Sequence, residues 1–430
     1  MPRSRVRAGR WVALLAAISL LGAIGAPAAS AQQDEEFPAV DQPGVTDDEI
    51  RVGGIITEEG SPTGAQLSSA FDGVKAYFEY INKTEGGVYG RELVLSSERD
   101  DRLGNNRSEV EGLLAQDDVF AALPIAVQLF AGADLLADEG IPTFGWNIQS
   151  EWGSEDNKPG PESFFGQTGS FICFTCAQPR TELWMAKHLK RDKVGVLAFA
   201  VPQSEGCAVG IENSFEEYPT ADVVFSDKSI QFGNPDYSAQ VARMKEEGVD
   251  LVLACIDGNG AVNLARELQK QQVDADMVLP NMYNHELVEE NAEVLEGKYL
   301  FTTFAPFETK PKPEGLKLYD EWIKKTDGRT DENSMVGWIN ADQFVEGLKA
   351  AGPDFTREKV VDAINAMTDY DAKGLLPGID WTTAHEDDPD CYAALQIQDG
   401  KFKPVFGKKG QPFICFPEDL KQIPAKPATA

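Results

Sequence analysis

Histidine is nearly missing from this sequence: His188, His285 and His385 are the only three in 430 residues. Basic side chains are scarce as well, 39 against 70 acidic ones. The net charge of −31 removes any general attraction to phosphate backbones or anionic lipid, so no nucleic-acid partner is expected. No G-x-S-x-G nucleophile elbow, Walker A loop or HExxH zinc motif occurs. Without those motifs or a paired acid/base constellation, the sequence shows no apparatus for catalysis, and no cofactor or metal is expected. Past residue 31 no run is apolar enough to span a bilayer. What is present is globular: 42% hydrophobic and 25% charged residues, too apolar for disorder. The length predicts about two or three domains.

Residues 1–31 read as a secretory signal peptide. Arg3, Arg5, Arg7 and Arg10 form a basic start, residues 11–26 are mostly apolar, and Ala29-Ser30-Ala31 offers small residues for cleavage. No cysteine lies near the cut, so no lipid anchor is expected, and the protein is read as exported. Removing the leader leaves 35 basic against 70 acidic side chains, a net charge of −35. Residues 32–47 are expected to be a flexible leader and 421–430 a loose tail. Cys173, Cys176, Cys207, Cys255, Cys391 and Cys415 all lie in the exported part, which suggests up to three disulfides of open connectivity. Zinc or redox chemistry is the rival reading for Cys173-x-x-Cys176, which lacks a second close pair and a thioredoxin-like setting.

Past residue 48, strand and helix patterns alternate. Strands are predicted at 50–56, 92–97, 119–124 and 141–145, with helices at 65–83, 106–116 and 129–139. The series restarts with helices at 179–189, 204–216, 237–247 and 262–271, and strands at 193–200, 222–226, 249–255, 277–279 and 299–304. Helices at 313–325, 334–350 and 356–367 follow, and a hairpin at 392–398 and 401–406 turns on Asp399-Gly400. This is the α/β class, and two such series imply two doubly wound lobes with mainly parallel sheets.

Ligands of such sheets bind beyond the carboxyl ends of the strands, so two facing lobes enclose one cleft. The ligand-binding candidates there are Ser61, Gln128, Trp146, Asn147, Gln203, Asp257 and Tyr283. Trp146 is expected either to stack on a ligand or to pack under the loop 149–161, an insertion carrying Trp152. Gln128, Asn147 and Gln203 are read as hydrogen-bonding or loop-capping amides. Asp257 is read as a partner for a ligand cation or as a helix cap. Tyr283 offers a phenol, while Ser61 donates to an anion or shapes its turn. His188 is expected at the surface and His285 at a helix start, and His385 opens the run HEDDPD, read as solvated charge.

Several stretches resemble one family. DDEIRVGGIITEEGSPTG, LLADEGIPTFGW, DKVGVLAFAVPQSEG, NPDYSAQVARMKEEGVDLVLACIDGNG and AKGLLPGIDWTTAHEDDPDCYAALQIQDGKFKPV follow in an order similar to that of the type I periplasmic binding proteins, in particular the leucine/isoleucine/valine-binding group. The resemblance implies lobes of 48–168 plus 305–378 and 169–304 plus 379–420, joined by a three-strand hinge. It also implies capture of a small-molecule solute by hinge closure and delivery to an ABC transporter permease, with the protein a monomer. Amino-acid binders of that group usually carry Ser, Thr or Ala loops where this chain has Ala126-Val127-Gln128 and Trp146-Asn147-Ile148-Gln149. The expected solute is therefore small and organic, of amino-acid, amide or aromatic type. A ligand-sensing module for a membrane receptor, or a secreted hydrolase, is the alternative.

Overall fold

The computed structural model describes residues 37–59, 67–153, 159–169, 180–279, 282–386 and 391–416, and the backbone of 428–429. Strand β1 (Glu49–Ile56) is a largely buried, Ile/Val-rich run, as a central parallel strand with both faces covered requires. It leads through α1 (Ser69–Glu85), β2 (Glu92–Asp100), α2 (Asn106–Gln116), β3 (Ala121–Pro124), α3 (Ala133–Asp138) and β4 (Thr143–Gly145) to β5 (Phe164–Gly166). These strands form one parallel sheet, ordered β2-β1-β3-β4-β5.

The second series runs α4 (Arg180–Leu189), β6 (Lys193–Phe199), α5 (Pro202–Glu217), β7 (Asp222–Ile230), α6 (Ser238–Glu247), β8 (Leu251–Cys255), α7 (Gly258–Lys270) and β9 (Asp276–Leu279). The short helices α8 (His285–Glu290) and α9 (Ala292–Leu295) lead to β10 (Tyr299–Thr302). The parallel order β7-β6-β8-β9-β10 repeats that of the first sheet. Helices α10 (Glu314–Lys325), α11 (Glu332–Ala351) and α12 (Arg357–Asn365) then intervene. Strands β11 (Cys391–Gln398), β12 (Lys401–Val405), β13 (Phe413–Cys415) and β14 (Ala428–Thr429) extend the second sheet in antiparallel fashion beyond β10. No helix among the described residues is long and apolar enough to cross a membrane.

Helix α11 returns to the first sheet. A methyl group at Gly73 of α1 would strike the Ser334 carbonyl, and one at Gly337 would strike the Ala70 carbonyl. Only glycine permits so close an approach. Phe344 of α11 packs on Phe78, Phe120 and Phe144. The buried Asp342 accepts bonds from Tyr77 at 2.7 Å, Tyr370 at 2.9 Å and Lys373 at 3.0 Å. The chain thus passes between the sheets three times: after β5, after β10 and after α12. The second and third passages are joined where Ala305 N–H donates to the Leu375 carbonyl at 2.7 Å.

Several expectations need correction. Residues 37–47 do not behave as a free leader: Phe37 meets Tyr89 edge-on, Arg91 Nη2 donates to the Pro38 carbonyl, and Gly44 N–H donates to Asp118. Within the tail expected to be loose, Ala428 and Thr429 pair with β13, whose open edge accepts them. β2 and β7 run past the predicted 97 and 226 to Asp100 and Ile230. Both are edge strands, where polar residues remain solvated without ending the ladder. α3 begins only at Ala133, because Phe130 turns inward against Trp152 and Phe164. β5 and β13, three residues each, were too short to show a periodicity. The hairpin forms as read, with Asp399 and Gly400 at φ 55° and 69°, the left-handed pair of a tight turn. Cys391 and Cys415 face each other on β11 and β13 in one disulfide, and Cys207 and Cys255 form another. Cys173 and Cys176 lie outside the described residues.

Glu386 is exposed as expected, but His385 is not solvated; residues 387–390 of that run lie outside the described residues. The ring is buried beside Trp381 and Phe165, with one nitrogen bonded to Asn365 and the other without a partner among the described residues. Burial lowers its pKa from the usual 6.5 to about 4. The unfolded chain therefore binds the extra proton between those values, and stability falls as pH drops from 6.5 toward 4. The loss should reach about 3 kcal/mol at the acid end. Urea unfolding across this range should show that slope, and His385→Gln should flatten it.

Candidate functional site

In both sheets the strand order reverses beside the first strand of the series, between β1 and β3 and between β6 and β8. A crevice opens at such a switch point beyond the carboxyl ends of the strands. A cavity of about 810 Å³ lies there. The first lobe contributes Gln128 after β3, Trp146 and Ile148 after β4, and Arg329–Asn333 at the start of α11. The second contributes Phe199 at the end of β6, Gln203 on α5, Phe232 after β7, Asp257 after β8 and the segment 282–287 after β9.

Gln128 sits beyond a turn in which Ala126 adopts φ 56°, a left-handed conformation costly for a residue with a Cβ. Its N–H donates to Thr57 Oγ1 at 2.9 Å, and its carbonyl lies 3.5 Å from Gln203 Nε2 across the cleft. Trp146 is half-buried, packs on the main core and lines the cavity. Asn147 does not line it but packs beside Gly166. Trp152 is the aromatic residue fixed under the loop after β4. It is fully buried against Phe130 and Phe164, and its indole N–H donates to Gln149 at 3.0 Å.

Asp257 lines the cavity and also caps α7, accepting Gly260 N–H at 2.8 Å. Burial raises its carboxyl above the usual range. The Tyr283 phenol is engaged away from any ligand: it bonds Glu308 and accepts Phe307 N–H at 2.7 Å. The Tyr283 backbone N–H instead reaches across the cleft to the Glu332 carboxylate at 3.3 Å. Ser61 lies outside the described residues. His188 is exposed, stacked on Trp184.

Sequence reasoning missed the segment before α11. Arg329 Nε donates to Asp72 at 2.6 Å, and that hydrogen bond raises the guanidinium pKa. Asp331 caps α11 by accepting Ser334 N–H at 2.9 Å and also accepts Ser69 Oγ at 2.8 Å. Glu332 is half-buried, and desolvation pushes its carboxyl up to about 7. The only local signal was a charged run ahead of an apolar helix, which reads as capping alone. The Cys207–Cys255 disulfide, joining α5 to β8, also forms part of the wall.

Two facing doubly wound sheets, three connecting passages and one cavity at the strand ends define a two-lobed ligand-binding protein. The family model described as periplasmic binding protein matches residues 49–401, and the chain belongs to that family. Among solved structures, it is similar to a branched-chain amino acid ABC transporter protein from Thermus thermophilus with bound valine, at 19% identity and a TM-score of 0.70, covering 88% of this chain and 99% of that one. It is also similar to a fatty acid ABC transporter substrate-binding protein from Thermomonospora curvata, at 20% identity and a TM-score of 0.71, covering 90% and 98%. A solute-binding protein from R. palustris in complex with benzoate shares 15% identity with a TM-score of 0.67, covering 87% and 99%. At these identities the likeness shows the fold. By sequence alone, no curated protein matches the chain.

The double position of Asp257 separates cap from charge. Asp257→Ala should lower stability by about 1 kcal/mol, and Asp257→Asn by only a few tenths, since Asn still accepts the helix N–H. Thermal melting of the two variants checks this.

Proposed function

We propose that this chain is the extracytoplasmic solute receptor of an ABC transporter. It captures a small organic solute of amino-acid, amide or aromatic type between two lobes and delivers it to a permease, without catalysis and as a monomer. The observation that carries this reading is the 810 Å³ cavity at the facing carboxyl ends of two sheets with the same strand order. That volume suits a small ligand buried on most sides. Trp146, Phe199 and Phe232 supply apolar surface, and Gln128 and Gln203 supply amides. The lobes are taken as 48–168 plus 305–378 and 169–304 plus 379–420, and the three passages between them serve as the hinge. The ligands of the similar structures, valine and benzoate among them, support a small organic solute. Residues 1–31 act as the export signal.

Mass spectrometry of small molecules released by denaturing the freshly purified protein should find a solute. Adding that solute back should raise the melting temperature by mass action. Trp146→Ala should weaken its binding by about tenfold or more, with a lower ligand-free melting temperature as well because the ring also packs on the core. Unchanged affinity would remove Trp146 from the site.

A further inference from the structure

We propose that the cleft selects an organic cation: a protonated amine on an apolar, ring-sized body that carries no free carboxylate. This rests on the reading of the cleft as the solute site and names its substrate class. The argument begins with the charges on the wall. Asp331 and Glu332 line the cavity from the first lobe, and Asp257, Glu286 and Glu290 line it from the second. Among the described residues the basic ones there are Arg329 and His285, and each is already paired with a carboxylate behind the wall. Arg329 holds Asp72 at 2.6 Å and donates to Ser68 Oγ at 3.1 Å, while His285 Nε2 lies 2.6 Å from Glu308. Gln128 N–H, at the end of β3, is taken by Thr57. A carboxylate solute would enter a wall rich in carboxyl groups, and both bases among its described residues are engaged elsewhere. Desolvating an anion under those conditions is strongly unfavourable.

An ammonium group meets the opposite situation. Asp331 is engaged in capping α11 and Asp257 in capping α7. Glu332 accepts Tyr283 N–H through one oxygen, and a carboxylate has about four lone-pair sites, so it retains acceptor capacity toward the cavity. A cation placed beside it offsets the desolvation that raises its pKa. Trp146, Phe199, Phe232 and Met282 provide apolar surface for the body of the solute. Aromatic faces are themselves attractive to a cation. Glu286 and Glu290, exposed on α8, extend the negative field outward and favour the approach of a cation.

Isothermal titration of the purified protein with phenethylamine, 3-phenylpropanoate and phenylalanine tests the selection. Phenethylamine should bind tighter than either by about tenfold or more, and Glu332→Gln should reduce its affinity by about tenfold. The Gln variant should melt no lower than the parent, since it removes a desolvated carboxyl, and the 3-phenylpropanoate isotherm should not weaken in it. If 3-phenylpropanoate or phenylalanine binds as well as the amine or better, the cation selection is overturned and the cleft remains a solute site. A co-purified solute without a basic nitrogen has the same meaning. If none of the three binds and no small molecule co-purifies, both the selection and the solute-receptor reading fall.

Discussion

The close approach of α11 to α1 organises the rest of the molecule. Gly73 and Gly337 remove the two methyl groups that would otherwise hold the helices apart. The aromatic residues Trp338 and Phe344 then reach Tyr77, Phe120 and Phe144. Because α11 lies some 260 residues after α1, as the Tyr77–Asp342 bond with its separation of 265 records, the first lobe is built from two distant stretches of chain. Two of the three passages between the sheets are the consequence, and the third carries the chain on to β11 in the second sheet. The same packing sets the start of α11 at the edge of the cleft, which is how Arg329, Asp331 and Glu332 come to face a cavity otherwise made of strand ends. A helix-packing constraint in the core thus decides part of the binding surface.

The alternation of strands and helices was legible because parallel strands are buried on both faces and read as short apolar runs, and because the helices between them carry a clear apolar stripe. Loops after β3, β4, β6, β8 and β9 could be named as candidate walls on that basis alone. Which side chains in those loops point inward could not. Asn147 turns to Gly166, and Tyr283 puts its phenol on Glu308 while its backbone N–H crosses the cleft. Such choices depend on neighbours hundreds of residues away. Trp146 shows the same limit: it could have stacked or packed under the loop, and the tryptophan buried there is Trp152, held by Phe130 and Phe164. Disulfide pairing was equally illegible, since Cys391 meets Cys415 only through the register of β11 and β13.

The acidity of the chain has two meanings. Most carboxylates lie on solvated surfaces or in exposed ion pairs such as Lys75–Glu98, which keep the protein soluble and contribute little to stability. The buried ones do more. Asp342 is satisfied by two phenols and an ammonium within the first lobe. The half-buried Glu332 has, among the described residues, one long hydrogen bond from the opposite lobe, so its charge is costly. Net charge alone does not distinguish these cases; the number of hydrogen-bond partners does.

That difference bears on how the lobes move. The cross-cleft bonds Gln203–Gln128 at 3.5 Å and Tyr283–Glu332 at 3.3 Å are both long. Bonds of this kind contribute about 1 kcal/mol or less each. A solute shifts an equilibrium only by its differential affinity for the two states. On the proposed reading that differential comes from the residues lining the cavity on opposite lobes: Trp146 and Glu332 on one, Phe199 and Asp257 on the other. A solute contacting one lobe alone would bind without closing the protein. In the proposed receptor, closure therefore reports that both walls are engaged.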